Sequence, residues 1–197
     1  MNRIYIYGAG GHGLVLADMA KACGYKEVIF IDNRDNEHLT FDEVEEFADI
    51  IVAIGNNKIR KKVTEEVQES LFTLVSLIHP SAVISDNVTI GRGSVVMPNV
   101  VINTHATIGQ GAIINTSVVV EHENEIGAFA HLSPNVALGG AVKVGNLTHV
   151  GIGSSVIQGV TIGRECVVGA GSVVLKDIAD KTIAYGNPCL SIGAIDE

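Results

Sequence analysis

Between Ser81 and Val174 the chain carries only five carboxylates: Asp86, Glu121, Glu123, Glu125 and Glu165. Three of them crowd into Glu121-His122-Glu123-Asn124-Glu125, inside a stretch that is otherwise aliphatic and rich in glycine. Like charges repel, so a purely structural segment gains nothing from that grouping. A histidine among carboxylates can use it, because the acids stabilise the imidazolium and hold one tautomer, as a general base requires. The plain alternative is an exposed polar corner. A second constellation is Gly8-Ala9-Gly10-Gly11-His12-Gly13. It fits the G-x-G-x-x-G phosphate turn, with Asp32 about twenty residues on, where a ribose-binding acid is expected. Ile54-Gly55-Asn56-Asn57 would face the same crevice, or simply supply an asparagine cap to a helix. His131 and His149, eighteen residues apart, form a third candidate pair.

These residues sit on two kinds of scaffold. From Ile84 to Val174 an aliphatic residue stands at every sixth position, through Val96, Ile114, Leu132, Val150 and Val168 among others. The next residue is often glycine, and the residue two before is small or β-branched. A fixed period of six matches neither a helix nor a hairpin meander and indicates a repeat architecture. Each unit buries its apolar residue only by stacking on neighbours, which is a parallel β-helix. Before it, strand patterns at Ile4–Tyr7, Glu27–Ile31, Ile50–Ile54 and Phe72–Ile78 alternate with helical patterns at Leu14–Cys23, Phe41–Ala48 and Asn57–Ser70. That alternation predicts a small parallel sheet with its ligand at the carboxyl ends of the strands. His79-Pro80 marks the expected boundary, giving domains 1–79 and 80–197.

A dinucleotide needs two mononucleotide-binding halves, and a segment of under eighty residues supplies one, so a nucleotide-diphospho ligand is expected rather than NAD. His12 is unusual in such a loop. It either donates to a diphosphate or caps the loop internally. A net charge of −9 argues against nucleic acid as a partner. No apolar run is long enough to span a membrane, and three cysteines without metal-type spacing point to reduced thiols in the cytoplasm.

The sixteen uninterrupted hexads resemble the hexapeptide-repeat acyltransferases, whose left-handed β-helix takes three hexads per triangular coil. On that geometry His131 and His149 stack on adjacent coils. Adding Tyr7–Gly13, Ile54–Arg60 and Asn115-Thr116-Ser117 leading to Glu121-His122-Glu123, nearly the whole chain resembles the PglD-like nucleotide-sugar acetyltransferases. The resemblance implies a homotrimer that binds acetyl-CoA between subunits and N-acetylates a UDP-linked 4-amino-4,6-dideoxy sugar held by a Rossmann-like N-terminal domain. It implies His122 as general base supported by Glu123, His131 in contact with acetyl-CoA, and the Gly140 N–H as donor to the thioester oxygen. Ile152 and Ala170 would line the CoA groove through their backbones. Gly10, Gly11, His12, Asp32, Asn33 and Gly55 would hold the UDP-sugar. Asn33 stands where the family can have a second acid, and Ala170 replaces a possible glycine. Three other readings are a sugar or sialic acid O-acetyltransferase, a non-catalytic trimeric nucleotide-sugar-binding protein, and a zinc hydratase. Gly127 stands where the last would need a histidine, so no metal is expected.

Overall fold

The computed structural model describes residues 3–34, 37–44 and 47–195. Four parallel strands, β1 (Arg3–Tyr7), β2 (Glu27–Ile31), β3 (Asp49–Val52) and β4 (Thr73–Leu74), form a sheet in the order β2-β1-β3-β4. Helices α1 (Gly11–Ala22) and α2 (Asn57–Gln68) follow β1 and β3. The period-two alternation of β1 divides its side chains between two cores. Ile4 and Ile6 join Leu16, Met19 and Ala20 of α1 and the repeat region. Tyr5 and Tyr7 join Val67 of α2 and Phe72. The strand is buried on both sides, which is why it reads as a continuous apolar run.

Helix α1 begins at Gly11, three residues before its apolar spacing starts, so Gly10 is its N-cap and His12 lies in its first turn. The helix expected over Phe41–Ala48 is only a 3₁₀ turn, Phe41–Glu43, closed by a reciprocal Thr40/Glu43 capping box. Glu45 and Glu46, within that expectation, lie outside the described residues. The expected strand Phe72–Ile78 is two: β4 ends at Leu74, while Leu77–Ile78 pairs with Val95–Val96 as the first rung of the repeat region.

That region is a left-handed parallel β-helix of about six coils. A first face stacks the strands from Leu77–Ile78 to Val167–Val168, a second those from Val83–Ile84 to Val173–Val174, and a third those from Thr89–Ile90 to Thr161–Ile162. From Val96 to Val174 every sixth-position aliphatic is at most 3% exposed. The chain turns each corner through a left-handed residue, and every sixth residue from Gly93 to Gly171 has positive φ. Most of these are not glycine, and the strain is offset by a corner N–H donating to the coil below, as Glu123 does to the Thr104 carbonyl. Beyond Lys176 the tail does not leave the prism. Thr182–Tyr185 extends the first face and Leu190–Ala194 folds back antiparallel on it.

The α/β unit sits on the first face and on the corner between the third and first faces. Leu77, Val95 and Ile113, outward-pointing on that face, are buried beneath it. Two further outward positions there are His131 and His149.

Candidate active site

Residues 121–124 form the corner between the second and third faces, and Glu125 opens the strand of the third face. Glu123 takes the left-handed turn position with φ of 60°. The turn sends both His122 and Glu123 outward, and the His122 Nδ1 lies 3.0 Å from Glu123 Oε2. A carboxylate can only accept, so Nδ1–H is the donor, and Nε2 has no partner among the described residues. Directly above, on the next coil, is Gly140. A Cβ built on Gly140 would lie 2.5 Å from His122 Nε2 and Cε1, so only glycine lets the imidazole lie against that backbone. Among the described residues the Gly140 N–H has no acceptor. An imidazole nitrogen and an amide N–H without an acceptor thus share one corner, an arrangement that can serve attack on an acyl group.

Asn124 contributes to the same geometry and was passed over in the sequence. Its slot, two before Ile126, is the inward one that elsewhere holds Ala, Val, Ser, Thr or Cys. The side chain is fully buried. Nδ2 donates to the Glu121 carbonyl at 2.6 Å and the Gly139 carbonyl at 3.0 Å, while Oδ1 accepts from Val142 N. The coil carrying His122 is thereby tied to the coil carrying Gly140. The signal was available: an asparagine where the repeat wants an apolar or hydroxyl residue.

His131 is not part of this corner. It lies on the first face, stacked on His149 with ring centroids 4.7 Å apart. The second-to-third corner lies opposite that face, so a single chain does not bring His122 and His131 together. Asn115 Nδ2 lies 3.2 Å from His131 Nε2, and Ser133 Oγ lies 2.8 Å from His149 Nε2. His131 Nδ1 and His12 Nε2 are buried without a hydrogen bond. Among the described residues no three His, Cys, Asp or Glu side chains are placed to hold a metal ion. Ile152 and Ala170 stack on the first-to-second corner, above Thr116, and both are exposed. Their N–H groups have no acceptor among the described residues.

The glycine loop joins β1 to α1 as expected. Gly10 and Gly11 are exposed with open space above them, whereas Gly8 and Gly13 are the glycines the fold itself needs. Gly8 has φ of 118°, and a Cβ there would lie 2.8 Å from the Ala53 carbonyl oxygen; one on Gly13 would collide with the Gly8 carbonyl. No carboxylate stands in the first turn of α1 and no side chain caps it, so its N–H groups remain available to an anion. Asp32 ends β2 beside the loop, but its carboxylate already accepts from Ala9 N at 3.0 Å and from Arg34 N, Nε and Nη2. The Arg34 hydrogen bonds hold it down to about 2, against the opposing effect of burial. Asn33 Oδ1 is likewise engaged, by Phe41 N. Tyr7, Gly8, Asp32, Asn33, Arg34, Ile54, Ile59 and Val63 enclose a cavity of about 180 Å³ at the carboxyl ends of β1 and β3. Ile54 lines one side of this cavity, and Gly55 after it is exposed with open space around its Cα.

Burial, and then the Arg60 charge, push His12 down to about 4. Burial pushes His131 down to about 3, with His149, Arg60 and His12 acting in the same direction and the Gly55 backbone opposing them. Both are neutral at pH 7. Below about 6.5 the unfolded chain binds protons that the folded one refuses until about 4 and 3, so stability falls as pH drops through that window. Urea midpoints measured between pH 7.5 and 4 should decline, and more shallowly in His131→Gln. Equal slopes for the two proteins would contradict this account.

Two protein families match successive parts of the chain. The PglD N-terminal domain family matches residues 3–67, and the bacterial transferase hexapeptide family (six repeats) matches residues 81–116. UDP-N-acetylbacillosamine N-acetyltransferase from Bacillus subtilis (strain 168) is 36% identical over 113 residues, 49% of this chain and 51% of that protein. The match therefore spans about half the length of that curated relative. GDP-perosamine N-acetyltransferase from Caulobacter crescentus, solved as a histidine-to-alanine variant with CoA and GDP-perosamine, is 38% identical. It covers 98% of both chains with a TM-score of 0.94. The chain belongs to the PglD-like nucleotide-sugar N-acetyltransferases. The acetyltransferase domain of PglB from Neisseria gonorrhoeae FA1090, in complex with acetyl coenzyme A, is also similar: 37% identical over 98% of this chain and all of that one, with a TM-score of 0.91. Among the described residues no helix is long and apolar enough to cross a membrane.

Proposed function

We propose that this protein transfers the acetyl group of acetyl-CoA to the amino group of a UDP-linked 4-amino-4,6-dideoxy sugar, in the cytoplasm, for surface-glycan or glycoprotein synthesis. The observation that carries this reading is the His122–Glu123 pair lying against the free Gly140 amide. His122 Nε2 takes a proton as the amine nitrogen attacks the thioester carbonyl carbon. The Gly140 N–H donates to the developing oxyanion, and Glu123 steadies the imidazolium through Nδ1. Collapse breaks the carbon–sulfur bond, and the imidazolium returns its proton to the CoA thiolate. Proximity supplies much of the rate, and no acyl-enzyme is needed. The α/β unit, whose last strand ends at Leu74, would hold the nucleotide over Gly10, Gly11 and His12. The sugar would extend past His131 and Asn115.

That path ends at the first-to-second corner, not at His122. Outward residues of the second face are Val83, Val101, Val119, Ala137, Ser155 and Val173, while those of the third are Thr89, Thr107, Glu125, Lys143 and Thr161. An apolar face flanked by the two corners suits a closed ring. With second faces turned to a common axis, the His122 corner of one copy meets the Ile152–Ala170 corner of the next. A homotrimer then completes each site from two chains.

Acetyl-CoA and a UDP-4-amino-4,6-dideoxy sugar should release free CoA thiol with the purified enzyme, and a sugar lacking the amine should not. Faster turnover of a hydroxyl acceptor would shift the assignment to O-acetylation. His122→Ala and Ala170→Trp should each be inactive alone. Co-refolded together, they should regain activity, because some pairs of neighbours then join an intact base to an intact groove. Failure of folded mixed trimers to recover would overturn the shared site.

A further inference from the structure

Among the described residues the largest fully buried side chain is a cation. Arg60, on the first turns of α2, is 1% exposed. Its guanidinium is fully used: Nε donates to Gly111 O at 2.8 Å, Nη1 to Ile54 O and Gly55 O at 2.9 and 3.0 Å, and Nη2 to Asn57 Oδ1 and Phe129 O, both at 2.8 Å. Every acceptor is neutral, and among the described residues no carboxylate is bonded to it. Asn57 completes the junction by donating to the Leu147 carbonyl at 2.9 Å.

Carbonyl oxygens satisfy hydrogen bonds but do not cancel a charge. Burying an ion without a counter-ion costs several kcal/mol even after relaxation, and cores usually avoid it. A clamp between α2 and the prism needs no charge, since a neutral amide could donate to the same kind of acceptor. The position of the charge is therefore informative. Arg60 grips the loop Ile54-Gly55 that closes one side of the nucleotide crevice. Around it stand groups with no negative charge to offer. His12, His131 and His149 are all held toward neutrality, by burial first and then by charges that include Arg60. The uncapped N-terminus of α1 adds its own positive end nearby. What the junction lacks in the free protein is an anion.

We infer that Arg60 is a positioning residue for the diphosphate of the nucleotide sugar: it sets the Gly55 loop through Nη1 and supplies from beneath it the uncompensated positive charge that the ligand neutralises. Arg60 does not itself reach solvent, so it acts through the loop and its field. This rests on the nucleotide-binding reading above. The field of one buried cation favours each added phosphate charge, on the order of tenfold at about 10 Å in an effective dielectric of about 20.

The test uses the full-length trimer and measures dissociation constants for UDP and UMP, with GDP and GMP in parallel, at low and high salt. Wild type should bind the diphosphate tighter than the monophosphate; binding of neither would remove the nucleotide reading itself, whatever Arg60 does. Given wild-type binding, Arg60→Gln should lose roughly tenfold of the diphosphate-over-monophosphate preference, with a shallower salt dependence. Its affinity for acetyl-CoA should stay within about twofold of wild type. Arg60→Lys keeps the charge without the fork. It should retain the preference within about threefold while melting at a lower temperature. Equal weakening of UDP and UMP in folded Arg60→Gln would reduce Arg60 to an interdomain clamp and overturn the inference. If Arg60→Gln does not fold, Arg60→Lys decides, and loss of the preference there would overturn it as well.

Discussion

Replacing His122 with alanine should lower kcat by roughly two to four orders of magnitude while leaving the KM for acetyl-CoA within a few-fold of wild type. The side chain is more than half exposed, and its ring bonds only Glu123, so its removal opens no buried cavity and the melting temperature should hold. The loss falls on the proton-transfer step alone. Glu123→Gln keeps a hydrogen-bond partner for Nδ1 but removes the charge that steadies the imidazolium. It should therefore cost less, about tenfold, and on kcat rather than on acetyl-CoA binding. Steady-state rates with free-thiol detection measure both variants. Full activity in His122→Ala would show that the amine loses its proton elsewhere, and would leave Gly140 as the better-supported half of the site.

The second large effect is on folding. Gly13→Ala should abolish nucleotide binding and destabilise the α/β unit severely, while the β-helix keeps its own melting transition. At Gly13 the added methyl would meet the Gly8 carbonyl oxygen, which is backbone and cannot swing aside as a side chain would. Gly8 is pinned in turn, because its N–H donates to the Ile31 carbonyl at 2.7 Å and its own Cα faces the Ala53 carbonyl. Relief would require moving β1 against both neighbouring strands. By contrast Gly10→Ala and Gly11→Ala meet nothing within 4 Å and should fold normally, so any loss of nucleotide binding there reports on ligand contact. Calorimetry with and without UDP separates the two cases. A normally folded, UDP-binding Gly13→Ala protein would contradict the close approach on which this rests.

The glycines of the loop and Gly140 differ in what a sequence can say of them. Gly8, Gly10 and Gly13 all satisfy one motif, and nothing in the motif divides those that close the turn from those left open to a ligand. Gly140 satisfies no motif. Its requirement comes from an imidazole one coil below, so it is visible only through a family resemblance or through the stacked coils themselves. Asn124 lies between these cases. The hexad register marks its slot as inward, and a polar amide there signals hydrogen bonds to be satisfied, but their partners on two coils are fixed only by stacking. Asp32 differs again. Its distance from the glycine loop marks it as a candidate for a ribose, and only the structure shows that Arg34, two residues on, pairs with its carboxylate.

The amino-acid sequence by itself determined a parallel β-helix and its hexad register; the stacking of residues eighteen apart followed from the family resemblance and is seen in the strand pairing. Each of those demands is local: a small inward residue, an aliphatic two later and a turn that repeats. It also determined the helix after the glycine loop and the acidic hexad that departs from the repeat. What only the tertiary structure decided is how these parts face one another. A triangular coil sends successive hexads to three different sides, so His122 and His131, nine residues apart in the chain, end on a corner and on the face opposite it. Arg60 finds its acceptors on Gly111 and Phe129, carbonyls that any residue could have offered and that therefore leave no trace in the sequence. Backbone acceptors carry no residue identity, and that is the physical reason the junction between the α/β unit and the prism is absent from the sequence and present only in the fold.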